Sequence, residues 1–471
     1  MLFNSLYFAL FFPIVTFLFF VVPVKFRNYL LLLAGCIFYM AAIPSYIIIL
    51  FAAIIIDYYA ALQIQKSENN KHRKRWLIVS ILATCALLFA FKYIDFFISN
   101  LNLFYSIFDY EQLKPFKILL PIGLSFHTFQ SLSYVIEVYK QKYTAEKKLS
   151  DYALYVMFYP QLVAGPIERP QVLLAQIKQP KYFDYHNLKY GLTLMWWGFF
   201  KKMAIADHLS FFVDKLYDHP NAATGADSLM GIYFFAIQIY CDFSGYTDIA
   251  RGAAKVMGFD LSLNFNKPYF ASSFSNFWQR WHISLSTWFR DYIYIPLGGN
   301  KKRHILNLVI TFLISGLWHG ANWTFITWGA IHVLYLIIEI YIRKISPHTY
   351  RIKLPKIIKQ IIVFHLVCVA WVFFRAANFT EVGAVFNSLV SHTYRKTNFI
   401  GNFENTIEFV TVLLMIVICF CIEFRYKLNP LFELMDKRKL YVQYVFSVSA
   451  ILILLFFGSF IKPQQFIYFQ F

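Results

Sequence analysis

Residues 305 to 342 read ILNLVITFLISGLWHGANWTFITWGAIHVLYLIIEIYI, two apolar stretches joined by the short polar break HGAN. A helix needs about 20 mainly apolar residues to cross a bilayer, and a lone strand there would leave its backbone groups without partners. The pattern therefore predicts two successive membrane helices, and it recurs along the chain. Candidate spans lie near residues 2–24, 29–43, 46–62, 76–98, 116–138, 190–213, 227–250, 305–320, 322–342, 357–374, 405–424 and 441–461.

The composition agrees with this pattern. Hydrophobic residues make up 59% of the 471 residues and charged residues only 15%. A soluble chain of this length would carry about 25% charged residues and fold as two or three domains. We therefore predict an all-α polytopic membrane protein, a bundle of about 11 to 12 transmembrane helices with re-entrant segments, as one integral membrane domain over residues 1–471.

The net charge of +19 comes from cations in the short connections between apolar stretches. Such clusters are typical of the cytoplasmic side of membrane proteins, so they predict topology and not nucleic-acid binding. With an even number of spans, the basic connections share the cytoplasmic side, both termini are extracytoplasmic, and 100–114 and 376–402 are outer loops. The basic connections are 66–75, 140–148, 301–304, 343–356 and 425–439.

The first apolar stretch has no basic region before it and no small-residue cleavage site, so it is predicted to be a retained span and not a signal peptide. The six cysteines lack the paired spacing of a zinc site or a disulfide framework. We expect free thiols, no metal site and no bound cofactor.

Two stretches are too interrupted or too polar to face lipid. Residues 152–170 are broken by Pro160 and by Gly165-Pro166, and residues 272–294 carry Arg280, His282 and further charges. Such backbone is tolerated at membrane depth only where it is buried in protein or lines a wet cavity. Both stretches are predicted to be re-entrant or interfacial, with a cavity inside the bundle.

Two histidines mark the candidate chemistry. His319 lies between Trp318 and Gly320 in an apolar segment, and His282 precedes it by 37 residues in a second aromatic segment. A polar ring in hydrocarbon costs several kcal/mol, so such residues normally face a protein interior or a cavity. An imidazole near neutrality can act as a general base, and a glycine beside it lets a substrate come close. The alternative is a pair of structural histidines that join helices.

On a continuous helix, Trp278, His282, Ser286 and Phe289 would form one stripe, with an imidazole and a hydroxyl in line. A simple amphipathic helix at the membrane surface fits the same pattern. The pattern alone does not decide between them.

The segment from Tyr240 to Asp248 places two carboxylates near the end of a span. Carboxylates there need partners. Asp242 and Asp248 are predicted either to orient a histidine or, as we favour, to form buried structural ion pairs with Arg251 and Arg280.

The whole set of motifs resembles the membrane-bound O-acyltransferases, in particular the bacterial polysaccharide acetylation proteins, over nearly the whole chain. The matching stretches are Pro121-Ile-Gly-Leu-Ser-Phe126, Phe129-Gln-Ser-Leu-Ser-Tyr134, Pro160-Gln-Leu-Val-Ala-Gly-Pro166, the run from Tyr240 to Asp248, Asn264-Phe-Asn-Lys-Pro-Tyr269, Arg280-Trp-His-Ile-Ser-Leu-Ser-Thr-Trp288, Arg290-Asp-Tyr-Ile-Tyr-Ile-Pro-Leu-Gly-Gly-Asn300 and Trp318-His-Gly-Ala-Asn-Trp323. The chain departs from that pattern at Gln279 and His127, outside the histidine motifs.

The resemblance implies that His319 is the essential histidine and His282 the second motif histidine, near a central tunnel from a cytoplasmic donor side to an outer funnel. It also implies that Tyr468, in an aromatic C-terminal motif, relays the acyl group, while the alternative is that the motif anchors the chain at the lipid headgroups. Arg280 and the cations at 301–303 could attract an anionic donor. The candidate donor- and substrate-binding residues are Trp278, Arg280, Trp281, Ser286, Asp291, Trp318 and Gly320.

The resulting expectation is an O-acetyltransferase of the bacterial inner membrane. It would move an acetyl group from acetyl-CoA or another thioester to an extracytoplasmic polysaccharide or peptidoglycan, with a periplasmic partner of the SGNH-hydrolase type. D-alanyl transfer to a cell-wall polymer is the alternative within the family, although the Pro296-Leu-Gly-Gly-Asn300 stretch favours acetyl. A transporter or flippase is the alternative outside it, but such folds usually have repeated halves, which this sequence lacks.

Overall fold

A computed structural model describes all residues except Ala42, Ala164, 346–353, 391–393, 395–405, 427–428, 437, 460–463 and 470–471. Every regular element among the described residues is helical. The α-helices are α1 (Leu6–Val21), α2 (Val24–Met40), α3 (Tyr46–Lys66), α4 (Asn70–Leu88), α5 (Ile94–Ile107), α6 (Leu124–Tyr139), α7 (Leu149–Met157), α8 (Pro170–Ile177), α9 (Tyr185–Phe199), α10 (Asp207–Asp218), α11 (Gly225–Val256), α12 (Phe274–Trp278), α13 (Ile283–Phe289), α14 (His304–His319), α15 (Trp323–Ile345), α16 (Lys356–Arg375), α17 (Phe379–Val390), α18 (Thr406–Arg425), α19 (Pro430–Met435) and α20 (Leu440–Phe457).

Three π-helical segments continue α-helices, at Phe89–Tyr93, Phe200–Ala206 and Arg290–Tyr294, and short 3₁₀ turns lie at Pro220–Ala222, Pro268–Phe270 and Ile467–Phe469. The predicted all-α polytopic fold is confirmed, and each predicted span overlaps a helix.

Length and composition alone identify part of the predicted spans. Among the described residues, six helices are long and apolar enough to cross a membrane: Tyr46–Lys66, Asn70–Ile107, Trp323–Ile345, Lys356–Arg375, Ile407–Arg425 and Leu440–Phe457. Shorter apolar helices are α1, α14 and α17. Other predicted spans, such as the one near 190–213, contain charged side chains that lower their hydropathy.

Several predicted connections differ from the structure. The outer loop expected at 100–114 is helical as far as Ile107, and the one at 376–402 contains α17. The segment 116–123 is not helical, and α6 begins at Leu124. Gly123, the residue before it, has a φ of +77°, a left-handed conformation that glycine adopts easily. Most of the basic connection at 343–356 lies outside the described residues.

The chain divides into two compact units, and the division falls within α9 and α11. The first comprises Met1–Leu192 with Ala250–Ser262. In it nearly all the described residues of 152–170 are buried in protein, one of the two settings in which such backbone is tolerated at membrane depth. The carbonyl of Tyr155 accepts from Gln130 Nε2 at 2.5 Å and from Gln161 Nε2 at 2.9 Å, and the Tyr155 hydroxyl donates to the Glu168 carbonyl at 2.7 Å. Side-chain amides thus satisfy the backbone of a segment too irregular to do so itself.

The second unit comprises Thr193–Ile249 with Leu263–Phe471 and contains the candidate site. In this unit α9 and α11 approach closely at two glycines, since a Cβ on Gly198 would lie 2.4 Å from the Gly245 carbonyl oxygen, and one on Gly245 would lie 2.7 Å from that of Gly198. Small residues at a helix crossing allow such close packing in membrane proteins.

Candidate active site

His319 is the last residue of α14, and its imidazole is buried in an aromatic box. The His319 ring centroid lies 5.0 Å from that of Trp328, 5.3 Å from Phe374 and 5.6 Å from Tyr468. Only 4% of His319 is exposed. The prediction that this imidazole faces a protein interior is confirmed.

Gly320 has a packing role that differs from the expected one. A Cβ at Gly320 would lie 2.1 Å from the Phe325 ring, and Gly320 itself is extended with φ −159°. The missing side chain thus makes room for Phe325, not for a substrate. Phe325 packs edge-on against Phe374, which contacts His319, so the glycine supports one wall of the box.

His282 is fully buried and adopts a left-handed conformation, with φ 44°, between α12 and α13. The predicted stripe on one continuous helix is therefore wrong, and Ser286 does not share a helix face with the imidazole. A side chain with positive φ is uncommon and costs free energy, so the surrounding contacts must hold it.

Asn264 supplies those contacts. Its backbone carbonyl accepts the Ile283 N–H at 2.9 Å, and its Oδ1 accepts from Ser284 N at 3.1 Å and from Ser284 Oγ at 2.9 Å. The same Oδ1 lies 3.1 Å from His282 Nδ1. Because a carbonyl oxygen only accepts, Nδ1 carries the proton and Nε2 the lone pair. Sequence reasoning missed Asn264, although it opens one of the quoted motifs.

The chain's C-terminal aromatic segment lies between the two histidines. The Tyr468 ring centroid is 5.6 Å from His319 and 6.5 Å from His282, and Phe243 contacts both Tyr468, at 4.6 Å, and His282, at 4.7 Å. Phe466, like its neighbour Ile467, is buried in the unit. These positions differ from the alternative of a headgroup anchor and agree with a tail that folds back beside His319. The break expected at 462–463 lies outside the described residues.

The two carboxylates of the Tyr240 to Asp248 segment form close ion pairs with lysines. Asp248 Oδ2 lies 2.7 Å from Lys201 Nζ, and Asp242 Oδ1 lies 2.7 Å from Lys202 Nζ. Arg280 instead donates through Nε to Asn276 Oδ1 at 3.0 Å. Arg251 Nε donates to the Leu261 carbonyl at 3.4 Å. The prediction of buried structural ion pairs is confirmed, with Lys201 and Lys202 as partners that the sequence did not suggest.

Each lysine has a second carboxylate neighbour. Glu423 Oε1 is 3.6 Å from Lys201, and Asp207 Oδ1 is 2.8 Å from Lys202. Both lysines lie in the π-helical segment Phe200–Ala206, a geometry that often marks functional sites. The sequence did contain a signal for these ion pairs, because two adjacent lysines within a predicted span need buried partners.

A cavity of about 600 Å³ lies against α13 and α14. It is lined by Ser275, Trp278, Gln279, Ile283, Leu285, Ser286, Thr287, Phe289, Arg290, Tyr294, Leu308, Thr311, Phe312, Ser315 and Leu336. Hydroxyls and one guanidinium on a mainly apolar wall are typical of small-molecule sites. No group of three or more His, Cys, Asp or Glu side chains among the described residues could hold a metal ion.

The cavity does not reach the imidazoles directly. Trp278 lines it and packs 5.8 Å from Trp328, which contacts His319, while Phe289 lines it and packs 6.5 Å from Trp318. One aromatic layer therefore separates this cavity from His319.

The predicted donor-binding residues separate into two groups. Trp278 and Ser286 line the cavity, and Trp318 packs between its wall and both histidines, with ring centroids 5.0 Å from His319 and 6.5 Å from His282. Trp281 is buried against Trp371, 5.0 Å between centroids, and Asp291 pairs with Arg290 at 2.8 Å. Trp281, Asp291 and Arg280 do not line this cavity, whereas Arg290 does.

Comparison with known proteins identifies the family. The model of the membrane-bound O-acyltransferase family matches residues 45–380. The chain is 33% identical to a peptidoglycan O-acetyltransferase of Helicobacter pylori, covering 88% of this chain and 90% of that protein. It is 38% identical to a probable alginate O-acetylase of Azotobacter vinelandii, covering 82% and 77%. It is 27% identical to a teichoic acid D-alanyltransferase of Bacillus subtilis, covering 56% and 71%. This multi-pass membrane chain belongs to the membrane-bound O-acyltransferase family and is an acyltransferase.

Proposed function

We propose that the chain takes an acetyl group from a cytoplasmic thioester, acetyl-CoA or another acetyl thioester, and delivers it to an extracytoplasmic polysaccharide or peptidoglycan. The observation that carries this proposal is the arrangement around His319. The cavity lies toward one end of α14, and the Tyr468 ring contacts the imidazole at the other end. The names of the two acetyltransferase relatives support the acyl group and the acceptor class.

The donor would enter through the cavity. Its lining residues Leu308, Thr311 and Ser315 follow α14 from near its start toward His319. Leu308 and His319 are 11 residues apart, about 16 Å at the rise of an α-helix. The cationic segment 301–303 precedes α14, and cations at that end would attract the phosphates of a CoA-type donor.

Acyl transfer would occur in two steps. His319 accepts the phenolic proton of Tyr468 while the phenolate oxygen attacks the thioester carbonyl. The C–S bond then breaks, and the leaving thiolate takes the proton from the imidazolium, which leaves a tyrosyl acetate and a free thiol. In the second step an acceptor hydroxyl attacks the ester, and Tyr468 regains its proton.

His282 has a supporting role in this scheme. Its Nδ1–H is committed to Asn264, so Nε2 is the nitrogen that can accept a proton or a hydrogen bond. We propose that it helps to orient the reacting groups, while His319, whose ring lies closer to Tyr468, acts as the base.

A partner is expected at the outer side. The acceptor of the tyrosyl ester is proposed to be a serine of a periplasmic SGNH-hydrolase-type acetyltransferase or a glycan hydroxyl. Two short transfers suit a glycan that is too bulky to enter a buried aromatic box.

The first test is thioester turnover by the purified protein in nanodiscs with acetyl-CoA. A transferase that forms an acyl intermediate releases about one thiol per polypeptide in a burst before any acceptor is added. A transporter or flippase would leave acetyl-CoA intact, and the absence of thiol release above that of the heat-inactivated protein would contradict the proposal.

D-alanyl transfer is a second candidate, favoured by the similarity to the teichoic acid D-alanyltransferase. The same assay separates the two functions when a D-alanyl thioester is supplied in place of acetyl-CoA. A burst with acetyl-CoA alone supports the acetyl assignment, and a burst with the D-alanyl thioester alone supports the alternative.

The side from which the donor enters is tested by cysteine labelling. Single cysteines at the exposed positions Asn69 and Lys302, in a background without Cys85 and Cys421, are expected to resist an impermeant maleimide in intact cells and to react after permeabilisation. The positive charge of both connections favours the cytoplasmic side. Labelling in intact cells at Lys302 would put the cavity on the wrong side for a cytoplasmic donor.

A further inference from the structure

The C-terminal turn Ile467–Phe469 makes a buried hydrogen bond to α11. The Ile467 backbone N–H donates to Asp242 Oδ2 at 2.8 Å, and Ile467 is only 2% exposed. The neighbouring tail contacts are aromatic: Phe466 packs against Tyr246 at 4.7 Å and Tyr468 against Phe243 at 4.6 Å. The charge-assisted hydrogen bond to the carboxylate fixes the position of the Ile467 amide along α11.

The Asp242 carboxylate is itself held in one orientation. Its Oδ1 lies 2.7 Å from Lys202 Nζ, which lies 2.8 Å from Asp207 Oδ1. All three side chains are almost completely buried. One carboxylate oxygen therefore binds the lysine while the other receives the tail amide. The lysine is shared by two carboxylates, and of these two only Asp242 contacts the tail.

Adjacent residues of α11 contact adjacent residues of the tail. Asp242 binds the amide of Ile467, and Phe243 packs against the ring of Tyr468. Phe243 also packs edge-on against His282, with 4.7 Å between centroids. The position of the amide along α11 therefore sets where the Tyr468 ring lies relative to the histidines.

We propose that Asp242 is a positioning residue: oriented by Lys202, its carboxylate docks the tail through the Ile467 amide so that Tyr468 lies beside His319. This inference rests on the proposed role of Tyr468 as the acyl relay. It assigns to the carboxylate of the α11 segment a function beyond charge pairing. Without the bond the tail spends most of its time undocked, and the first transfer slows by about 10- to 100-fold, the factor expected for a hydrogen bond to a charged group.

The test compares Asp242→Ala with Asp207→Ala. Either substitution leaves Lys202 with one of its two carboxylate neighbours, so both variants remove one negative charge from the same cluster. In hydrogen exchange on the full-length protein in nanodiscs, Asp242→Ala is expected to remove the protection of the peptide that contains Ile467, and Asp207→Ala to retain it. The thiol burst with acetyl-CoA is expected to slow about 10- to 100-fold in Asp242→Ala only.

Unchanged protection of the Ile467 peptide in Asp242→Ala, or equal slowing in both variants, would overturn the proposal. The docking of the tail and the relay by Tyr468 can fail separately. If Asp242→Ala exposes the Ile467 amide but Tyr468→Phe transfers acetyl groups normally, Asp242 docks the tail but Tyr468 is not the relay. That result would also overturn Asp242 as a positioning residue for transfer.

A second pair of variants tests the proposal even if Asp242→Ala does not fold. Ile467→Pro removes the amide donor at the first residue of the 3₁₀ turn, where proline fits, and leaves the ion cluster intact. Ile467→Ala removes the side chain but keeps the N–H. The proposal requires a slower burst in the proline variant than in the alanine variant, and equal rates would overturn it.

Discussion

Replacing His319 by alanine is expected to lower acyl transfer by about 10² to 10⁴, the usual contribution of a general base. The imidazole is the titratable ring nearest Tyr468, with 5.6 Å between centroids. Its loss leaves the phenol without a proton acceptor, so the thioester carbonyl meets a neutral and weakly nucleophilic hydroxyl. The measurement is the rate of thiol release from acetyl-CoA by the purified variant, together with the acetyl content of the glycan in cells.

The matched control is His332→Ala. His332 is also fully buried and also lies 5.0 Å from Trp328, but it contacts Phe277 and Trp278 and not Tyr468. Both variants leave a similar void, so a loss of stability should affect them alike, by about 2–5 kcal/mol. If the two variants lose equal activity at equal expression, the His319 effect is structural and the assignment as base is wrong.

Tyr468→Phe is expected to abolish delivery of acetyl groups to the glycan. The substitution keeps the ring that packs against Phe243 and stacks on Phe466, at 5.4 Å, and removes the nucleophilic oxygen alone. Because the first transfer has no acceptor without that oxygen, the thiol burst should also disappear. Glycan acetylation in cells and burst amplitude in vitro are the two readouts.

Tyr246→Phe provides the comparison. Tyr246 is a buried tyrosine that packs 4.7 Å from Phe466, so this variant removes a hydroxyl next to the same tail without touching the histidines. It is expected to transfer acetyl groups like the unmodified protein. Normal transfer by Tyr468→Phe would show that the acyl group passes directly from thioester to acceptor.

Hydropathy was sufficient to predict the helical membrane fold, because membrane crossing depends on long apolar runs that any window of sequence displays. The same reasoning placed His319 and His282 in a protein interior, since a buried imidazole needs a partner wherever the helices lie. Both statements depend on local composition and on the cost of burying polar groups, not on which segments meet in three dimensions.

The partners of buried charges could not be predicted in this way. Asp242 and Asp248 had to pair with cations, but Lys201 and Lys202 lie within their reach because α9 and α11 approach closely at Gly198 and Gly245. Only the packing of the two helices decides which cation is within reach.

The local backbone conformation at His282 was also not predicted. Periodicity predicted one helix through His282, whereas Asn264 bonds to the residues that follow it and holds His282 in the left-handed region. A contact between residues 18 positions apart has no signature in helical periodicity. The hydrogen bond between Ile467 and Asp242, which are 225 positions apart, likewise has no signature in the sequence.

The central claim is that Tyr468 carries the acyl group between a thioester and an outer acceptor. Its most direct test is peptide mass spectrometry of the protein after a brief incubation with isotopically labelled acetyl-CoA and acid quenching. The account predicts a labelled acetyl ester on Tyr468 that is absent from His319→Ala and disappears when the acceptor is added. Thiol release at the normal rate with Tyr468 unlabelled at every time point, or with the label on another residue, would contradict it.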